Sequence, residues 1–342
     1  MKRTHIGCHG ILTILLILIM GMGMCLSACA VGNGSDGLAA ADARAIDDMT
    51  AEELISLMPD FLMLRDKEYE DMPLLETQEE LSEYALWNFF CGRVEFECRL
   101  PWELSYGLST SALEQACDDA MAYYLFSSYK FWDLFTEDDG DPDSVHARVK
   151  LAYDVPEHDL EARRAAYRYV AENPVPEGGF AGYDEEMEYA RRIHDYVACK
   201  VTYDPLGYEL EIPLTQTRYD VLQEAYNVLG EEQETAICAA YARAFGLVCQ
   251  YAGINCAWVW GNETENSSHA WNVIYPCDGS EPVLVDVTWD DGQSLDEVGQ
   301  TDVEQCYFYI PLSSECEHEA EAVMEHFIEY VNEGARARKA AE

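Results

Sequence analysis

Three side chains able to share one nucleophilic reaction follow one another along the chain: the thiol of Cys238, the imidazole of His269 and the carboxylate of Asp286. A thiol attacks an amide carbonyl well only as thiolate, so it needs a neighbouring base that takes its proton and later returns it to the leaving amine. An imidazole does both near neutral pH, and a carboxylate behind it fixes its tautomer and stabilises the imidazolium. The chemistry these types describe is acyl transfer through a thioester. Taken singly, each has a structural explanation: free cysteines are often buried, a lone histidine often satisfies core hydrogen bonds, and an aspartate can cap a turn. Together, each inside its own patterned segment, they are the candidate catalytic residues.

The flanking segments predict how they are positioned. A polar run from Glu231 to Thr235 gives way to apolar residues at Ile237, Tyr241, Ala244, Val248 and Ala252, and the pattern stops at Gly253. That spacing predicts a helix with one packed face and with Cys238 in its first turn. The open backbone N–H groups and the dipole there favour a thiolate and can hold an oxyanion. His269 to Tyr275 and Val283 to Trp289 read as two strands around a turn at Pro276 to Pro282. An even-length connection pairs His269 with Thr288 and Trp271 with Asp286, which makes the imidazole and carboxylate diagonal neighbours on one face. An odd-length one puts them on opposite faces. Trp258, Trp271 and Trp289 are expected as core aromatics.

These segments resemble the core of the transglutaminase-like superfamily, which places a Cys at a helix start, then a His-Ala-Trp-Asn strand, then a Val-Asp-Val-Thr-Trp-Asp-Asp strand. Here the last two are His269-Ala-Trp-Asn272 and Val285-Asp-Val-Thr-Trp-Asp-Asp291. Ile193-His-Asp-Tyr196, Val201-Thr-Tyr-Asp204 and Ala225-Tyr-Asn-Val-Leu229 are similar to the bacterial branch, so the likeness runs from roughly residue 185 to 312. The chain departs from the usual Gly-Val-Cys with Ala236-Ile237-Cys238. The resemblance implies an α+β, papain-like fold, with the Cys-bearing helix packed on an antiparallel sheet. It implies Cys238 as nucleophile, His269 as general base and acid, and Asp286 as orienter. It also implies an aromatic oxyanion partner upstream of the cysteine, for which Tyr203 and Tyr226 are candidates. The implied reaction is peptide hydrolysis if water resolves the thioester, and crosslinking or amidation if an amine does.

The 342 residues are 49% hydrophobic and 12% aromatic, enough for one large core or two moderate ones. With 65 acidic against 21 basic residues the formal charge is −44, which repels phosphate backbones and argues against nucleic acid as a partner. Met1-Lys-Arg3, the apolar run Ile11 to Met20 and Leu26-Ser-Ala-Cys29 read as a lipoprotein signal peptide over residues 1–28, with Cys29 as the lipid-attachment residue. Diacyl attachment would anchor the chain in the membrane, and residues 29–45 would form a flexible tether. The rival is an uncleaved span within Ile6 to Ser35. Both place the remainder outside the cytoplasm. Setting aside Cys8, Cys25, Cys29 and Cys238 leaves nine thiols, an odd number whose pairing is not readable. Cys306, Cys316, His318 and His326 match no compact zinc pattern; neither metal nor cofactor is expected.

Along the chain, residues 50–90 read as helical behind a Thr50–Glu53 capping box, Arg93 to Arg99 as a strand, Ser111 to Phe131 as a helix and Val145 to Tyr153 as a strand. A helix from Asp159 to Glu172 leads to the Pro- and Gly-rich Asn173 to Gly179, so an N-terminal α+β accessory domain is expected over residues 46–178 and the transglutaminase-like domain over 179–342. Asp184 to Lys200 is an amphipathic helix with His194 as a structural residue, Asn262 to Ser268 a polar loop, Tyr307 to Ile310 a strand and Cys316 to Ala340 a helix. The reading that follows is an extracytoplasmic cysteine enzyme acting on peptide or protein amides, cell-wall peptide among them. Peptidase is favoured over transglutaminase because water is the default acceptor unless a site excludes it. The alternative is an inactive surface binding module of the same fold.

Overall fold

The computed structural model describes residues 43–59, 64, 67–106, 108–123, 131–152, 156–204, 222–231, 235–264, 267–291, 307–314 and 319–320. The signal peptide with Cys29 and the group Cys306, Cys316, His318 and His326 lie outside the described residues, and of the stretch Cys316 to Ala340, expected as a helix, only Glu319–Ala320 is described and it is a strand instead, paired antiparallel to Gly261 and Asn262. Among the described residues no helix is long and apolar enough to cross a membrane. The described residues all belong to one compact unit.

The first elements are helices α1 (Ala43–Asp47), α2 (Ala51–Ser56) and α3 (Gln78–Phe90). A helix expected across residues 50–90 is thus two separate helices, each opened by a capping box: Thr50 with Glu53, and Thr77 with Glu80. In each box the hydroxyl takes the N3 amide proton and the glutamate takes the cap's own, so two orphan donors are satisfied and helix entry is fixed twice. Strand β1 (Glu95–Pro101), the short helix α4 (Trp102–Ser105), α5 (Ser111–Tyr123), β2 (Phe131–Glu137) and β3 (Ser144–Ala152) follow. Phe131, expected as the end of a long helix, instead opens β2. The three strands form an antiparallel sheet in the order β1-β3-β2. Phe96, Cys98 and Leu100 on β1 and Val145, Ala147, Val149 and Leu151 on β3 are buried, as period-2 alternation requires of a half-covered sheet.

Helices α6 (Pro156–Glu172) and α7 (Tyr183–Ala198), strand β4 (Thr202–Tyr203), helix α8 (Tyr226–Leu229) and strand β5 (Thr235–Ala236) lead to α9 (Cys238–Tyr251). In α7, Met187, Ala190, Ile193 and Val197 are all buried, the face its spacing marks. Helix α9 differs from a helix with one packed face: all fourteen of its residues are buried. It contacts α6 and α7 on one side and the strands β6 (Cys256–Thr264) and β7 (Ser267–Ile274) on the other. Burying each large apolar side chain there contributes about 1.5–3 kcal/mol before entropy, so the residue that opens α9 is carried by the best-packed element of the fold. Its end matches expectation. Gly253 adopts φ +79°, and the N–H groups of Gly253 and Ile254 donate to Gln250 O and Cys249 O, a Schellman closure that only glycine enters without strain.

Strands β8 (Val283–Val285), β9 (Phe308–Pro311) and β10 (Glu319–Ala320) complete a five-stranded antiparallel sheet in the order β10-β6-β7-β8-β9. Within the stretch expected as a polar loop, Asn262 to Ser268, strand β6 instead reaches Thr264 and strand β7 begins at Ser267.

Candidate active site

The approach to Cys238 is held from both sides. Strand β5, immediately ahead of it, pairs in parallel with β4, so that Thr202 faces Thr235 and Tyr203 faces Ala236. The Asp204 amide donates to Ala236 O at 2.8 Å, Asn227 Nδ2 donates to Thr235 O at 2.6 Å, and the Ile237 amide donates to Leu222 O at 3.3 Å. Ile237 is extended (φ −113°, ψ 170°) and no side chain caps α9, so the helix turns abruptly at the sulfur with its opening N–H groups uncapped. Three stretches named above as similar to the bacterial branch therefore have a physical task. Val201–Asp204 and Ala225–Leu229 brace the entry strand, and Ile193–Tyr196 lies in α7, which packs on α9.

His269 projects from β7, opposite Gly261 of β6. The hairpin register is the even one: Asn272 faces Val285 and Ile274 faces Val283, the same register that pairs Trp271 with Asp286. The strand expected to continue to Trp289 nevertheless ends at Val285. Asp286 Oδ1 accepts from the Thr288 and Trp289 amides at 3.0 and 3.2 Å and so caps a one-turn helix, α10 (Val287–Asp290). Local capping by a short acceptor side chain outcompetes the ladder here. The other oxygen, Oδ2, lies 2.6 Å from His269 Nε2. The Asp286 amide donates to Tyr307 O at 3.0 Å, which ties its backbone to the residue before β9. One carboxylate thus terminates a strand, starts a helix and grips the imidazole.

His269 also hydrogen-bonds Cys238, and with Nε2 engaged by Asp286 the nitrogen left for the sulfur is Nδ1. Burial by itself would lower the pKa of the ring. The hydrogen bonds to Asp286 and Cys238, with the charges behind them, outweigh it and push the pKa up to about 10. The ring accordingly holds its proton across neutral pH, and the positive charge in the triad is the imidazolium itself. Cys238 is 7% exposed, His269 5% and Asp286 0%, so the first two residues reach solvent narrowly while the carboxylate is sealed. The imidazole stacks with Trp289 at 5.5 Å and with Trp271 at 6.0 Å between ring centroids, with the planes tilted by 27° and 28°. Trp258 and Trp271 are core aromatics as expected, whereas Trp289 is half-buried and serves as a wall of the site.

Of the two oxyanion candidates, Tyr203 lies beside Ala236, two residues ahead of the sulfur. Tyr226 lies flat on His158, 4.0 Å between centroids, and His158 Nδ1 is 2.6 Å from Glu224. Tyr241, one helical turn after Cys238 and fully buried, donates its hydroxyl to Asp291. The residue that sequence reasoning placed as structural and that most affects the site's frame is His194. It has no exposed surface and stands between Asp195 (3.1 Å) and Asp290 (3.2 Å). Asp290 also accepts from the Tyr307 amide at 3.0 Å. Helix α7 is thereby fastened to α10, whose N-cap is Asp286. The signal for this was the first acid in Trp289-Asp290-Asp291, but its partner stands almost a hundred residues earlier in the chain.

A thiol at a helix start, packed over an antiparallel sheet that presents an imidazole and its carboxylate, is the arrangement of a papain-like cysteine acyl-transfer fold. Residues 175–287 match the model of the transglutaminase-like superfamily, and the chain carries a domain of that superfamily there. The matched range includes Cys238, His269 and Asp286. Among curated proteins none matches the chain.

Proposed function

We propose that this protein is an extracytoplasmic cysteine acyl-transfer enzyme that acts on peptide or protein amide bonds, anchored through a lipid on Cys29. The observation that carries the catalytic part is the single imidazole held by Asp286 on Nε2 and hydrogen-bonded to the thiol that opens α9. With the proton already on His269, the sulfur adds to the carbonyl, and the oxyanion faces the uncapped N–H groups of α9 with Tyr203 as the nearer aromatic candidate. His269 then protonates the leaving amine, and water or a second amine resolves the thioester. Hydrolysis is the favoured outcome because nothing identified in the site selects an amine over water. The N-terminal α+β part would act as an accessory to this site.

A second reading is favoured by one observation, the near burial of Cys238 at 7% exposure. It is a binding module that holds peptide without turning it over. One experiment separates the readings: incubation with a peptide library and a labelled primary amine, comparing the protein with Cys238→Ala. Cleavage lost in the variant establishes a peptidase, and label incorporation lost in the variant establishes a transglutaminase. Neither product, together with slow alkylation of Cys238 by iodoacetamide across pH 5 to 9, establishes the binding module.

A further inference from the structure

A second concave site lies in the N-terminal part of the chain, between α3, the start of β1 and the segment Lys67 to Met72. It is a cleft of about 730 Å³ to which none of the triad contributes. Its wall is aromatic: Tyr69, Tyr84 and Trp87 stand with ring centroids 4.8 to 5.5 Å apart. Its rim is acidic, with five carboxylates among its lining residues against two bases, Lys67 and Arg93. Both bases are already committed. Lys67 is paired with Glu83, and the Arg93 guanidinium sits 4.5 Å over the Trp87 ring.

An acidic rim alone describes much of a chain with this net charge, so the inference rests on two other observations. Asn88 lines the cleft with no exposed surface, and its Oδ1 accepts no hydrogen bond among the described residues, although its Nδ2 donates to Tyr84 O at 2.8 Å. A buried acceptor left open beside a cavity fits a donor that arrives with a ligand. Arg93, in turn, shows which donor the aromatic wall accommodates, because the chain's own guanidinium already lies on Trp87. Guanidinium is planar, carries five N–H donors, stacks on indole and needs nearby carboxylates, and the cleft offers an answer to each property.

We propose that this cleft binds an arginine side chain of a peptide, whose guanidinium replaces Arg93 on Trp87 with Glu70 and Asp71 at the rim supplying the countercharge. The site is independent of the acyl-transfer reading and stands or falls without it. In a chain whose other end holds a peptide-processing fold, it would select basic peptide segments.

The test is calorimetric titration of Cys238→Ala protein, which removes turnover, with a blocked Gly-Arg-Gly peptide, its citrulline isostere and choline as probes. The arginine peptide is expected to bind, with about 10-fold weaker binding of citrulline, which keeps the shape and loses the charge. Arg93→Ala is expected to tighten binding by about 3-fold, since it removes the resident competitor, and the exposed pair Glu70→Gln and Asp71→Asn to weaken it by about 3- to 10-fold with a flatter salt dependence. All three substitutions are at exposed positions, so loss of folding does not confound them. Citrulline binding equal to arginine, choline binding tighter than arginine, no heat at millimolar peptide whether Arg93 is kept or replaced, or weaker binding in Arg93→Ala would each overturn the proposal.

Discussion

Among the described residues two buried histidines, His194 and His269, are paired with carboxylates, and only one of them is a candidate for chemistry. His269 is held by Asp286 at 2.6 Å, and His194 stands between Asp195 and Asp290 at 3.1 and 3.2 Å. In both, burial alone would lower the ring's pKa and the neighbouring carboxylates raise it instead. A perturbed imidazole therefore does not distinguish a reactive site from a structural clamp. Two other features do. His269 has a thiol on its remaining nitrogen and a trace of solvent access. His194 is completely enclosed, has an acid on each side and packs against Phe308 at 5.0 Å. The first ring can pass a proton to a substrate; the second can only hold α7 to α10.

The two pairs part most clearly when each histidine is exchanged for alanine. His269→Ala is expected to lower amide turnover or Cys238 alkylation at pH 7 by about 10²–10⁴-fold, because the base is lost while Asp286 keeps both of its amide partners. His194→Ala is expected to cost about 3–5 kcal/mol in urea unfolding, because Asp290 is left buried without its cation, and to leave the turnover of the folded fraction close to the parent; His269→Ala leaves Asp286 buried in the same way, so both variants lose stability and only His269→Ala loses the chemistry. A His269→Ala protein that keeps its turnover, or a His194→Ala protein as stable as the parent and inactive, would show that the two pairs do not divide the roles in this way. Asp286→Asn comes next. It keeps the shape and the cap but not the charge, and turnover is expected to fall by about 10²–10⁴-fold with a folding loss of no more than about 2 kcal/mol.

The same contrast extends to pH. His269 has a folded pKa raised from 6.5 to about 10, so its pairing contributes stability in full below about pH 6.5 and loses it as pH rises through about 10. The difference in urea midpoint between the parent and His269→Gln should shrink steadily over that window. Cys238→Ala removes one of the raising partners, so the His269 ring resonance followed by NMR should titrate at lower pH than in the parent, while the His194 resonance stays where it was. Coincident shifts at both rings would mean that the cysteine acts on the fold as a whole.

What could be read from the sequence, and what could not, follows from the range of the forces involved. The start and stop of α9, the inward face of α7 and the Thr50 capping box are local matters of periodicity and capping, and all three are found in the structure; the hairpin register, which the sequence leaves open between even and odd, is the even one. Val283 to Trp289 misled because its alternation suits a strand, whereas the carboxylate of Asp286 bends the chain into α10 by capping it. The boundary between α5 and β2 was equally invisible, because aromatic residues near Phe131 fit a helix face and a strand face alike. The His194 clamp depends on α7 meeting α10, a tertiary event with no local trace. The proximity of sulfur, ring and carboxylate was implied by the superfamily resemblance, because the sequence alone leaves open the register that puts ring and carboxylate on one face.

The smallest effect tests how far the ring's setting, as opposed to its hydrogen bonds, matters. Trp289 covers one face of His269 at 5.5 Å and meets Tyr307 edge-on at 4.6 Å, while Phe308 is the corresponding neighbour of His194. Trp289→Leu keeps an apolar side chain but removes the flat wall, so the imidazole gains freedom to tilt away from the sulfur. Turnover is expected to fall by about 3- to 10-fold, as loosened orientation rather than lost chemistry, with the His269–Asp286 contact preserved. Phe308→Leu, the matched change beside the enclosed ring, is expected to cost about 1 kcal/mol of stability and leave turnover within about 2-fold of the parent. If Trp289→Leu matched the loss from His269→Ala, the indole would be a direct participant in catalysis, and the division between a reactive ring and its passive setting would have to be redrawn around it.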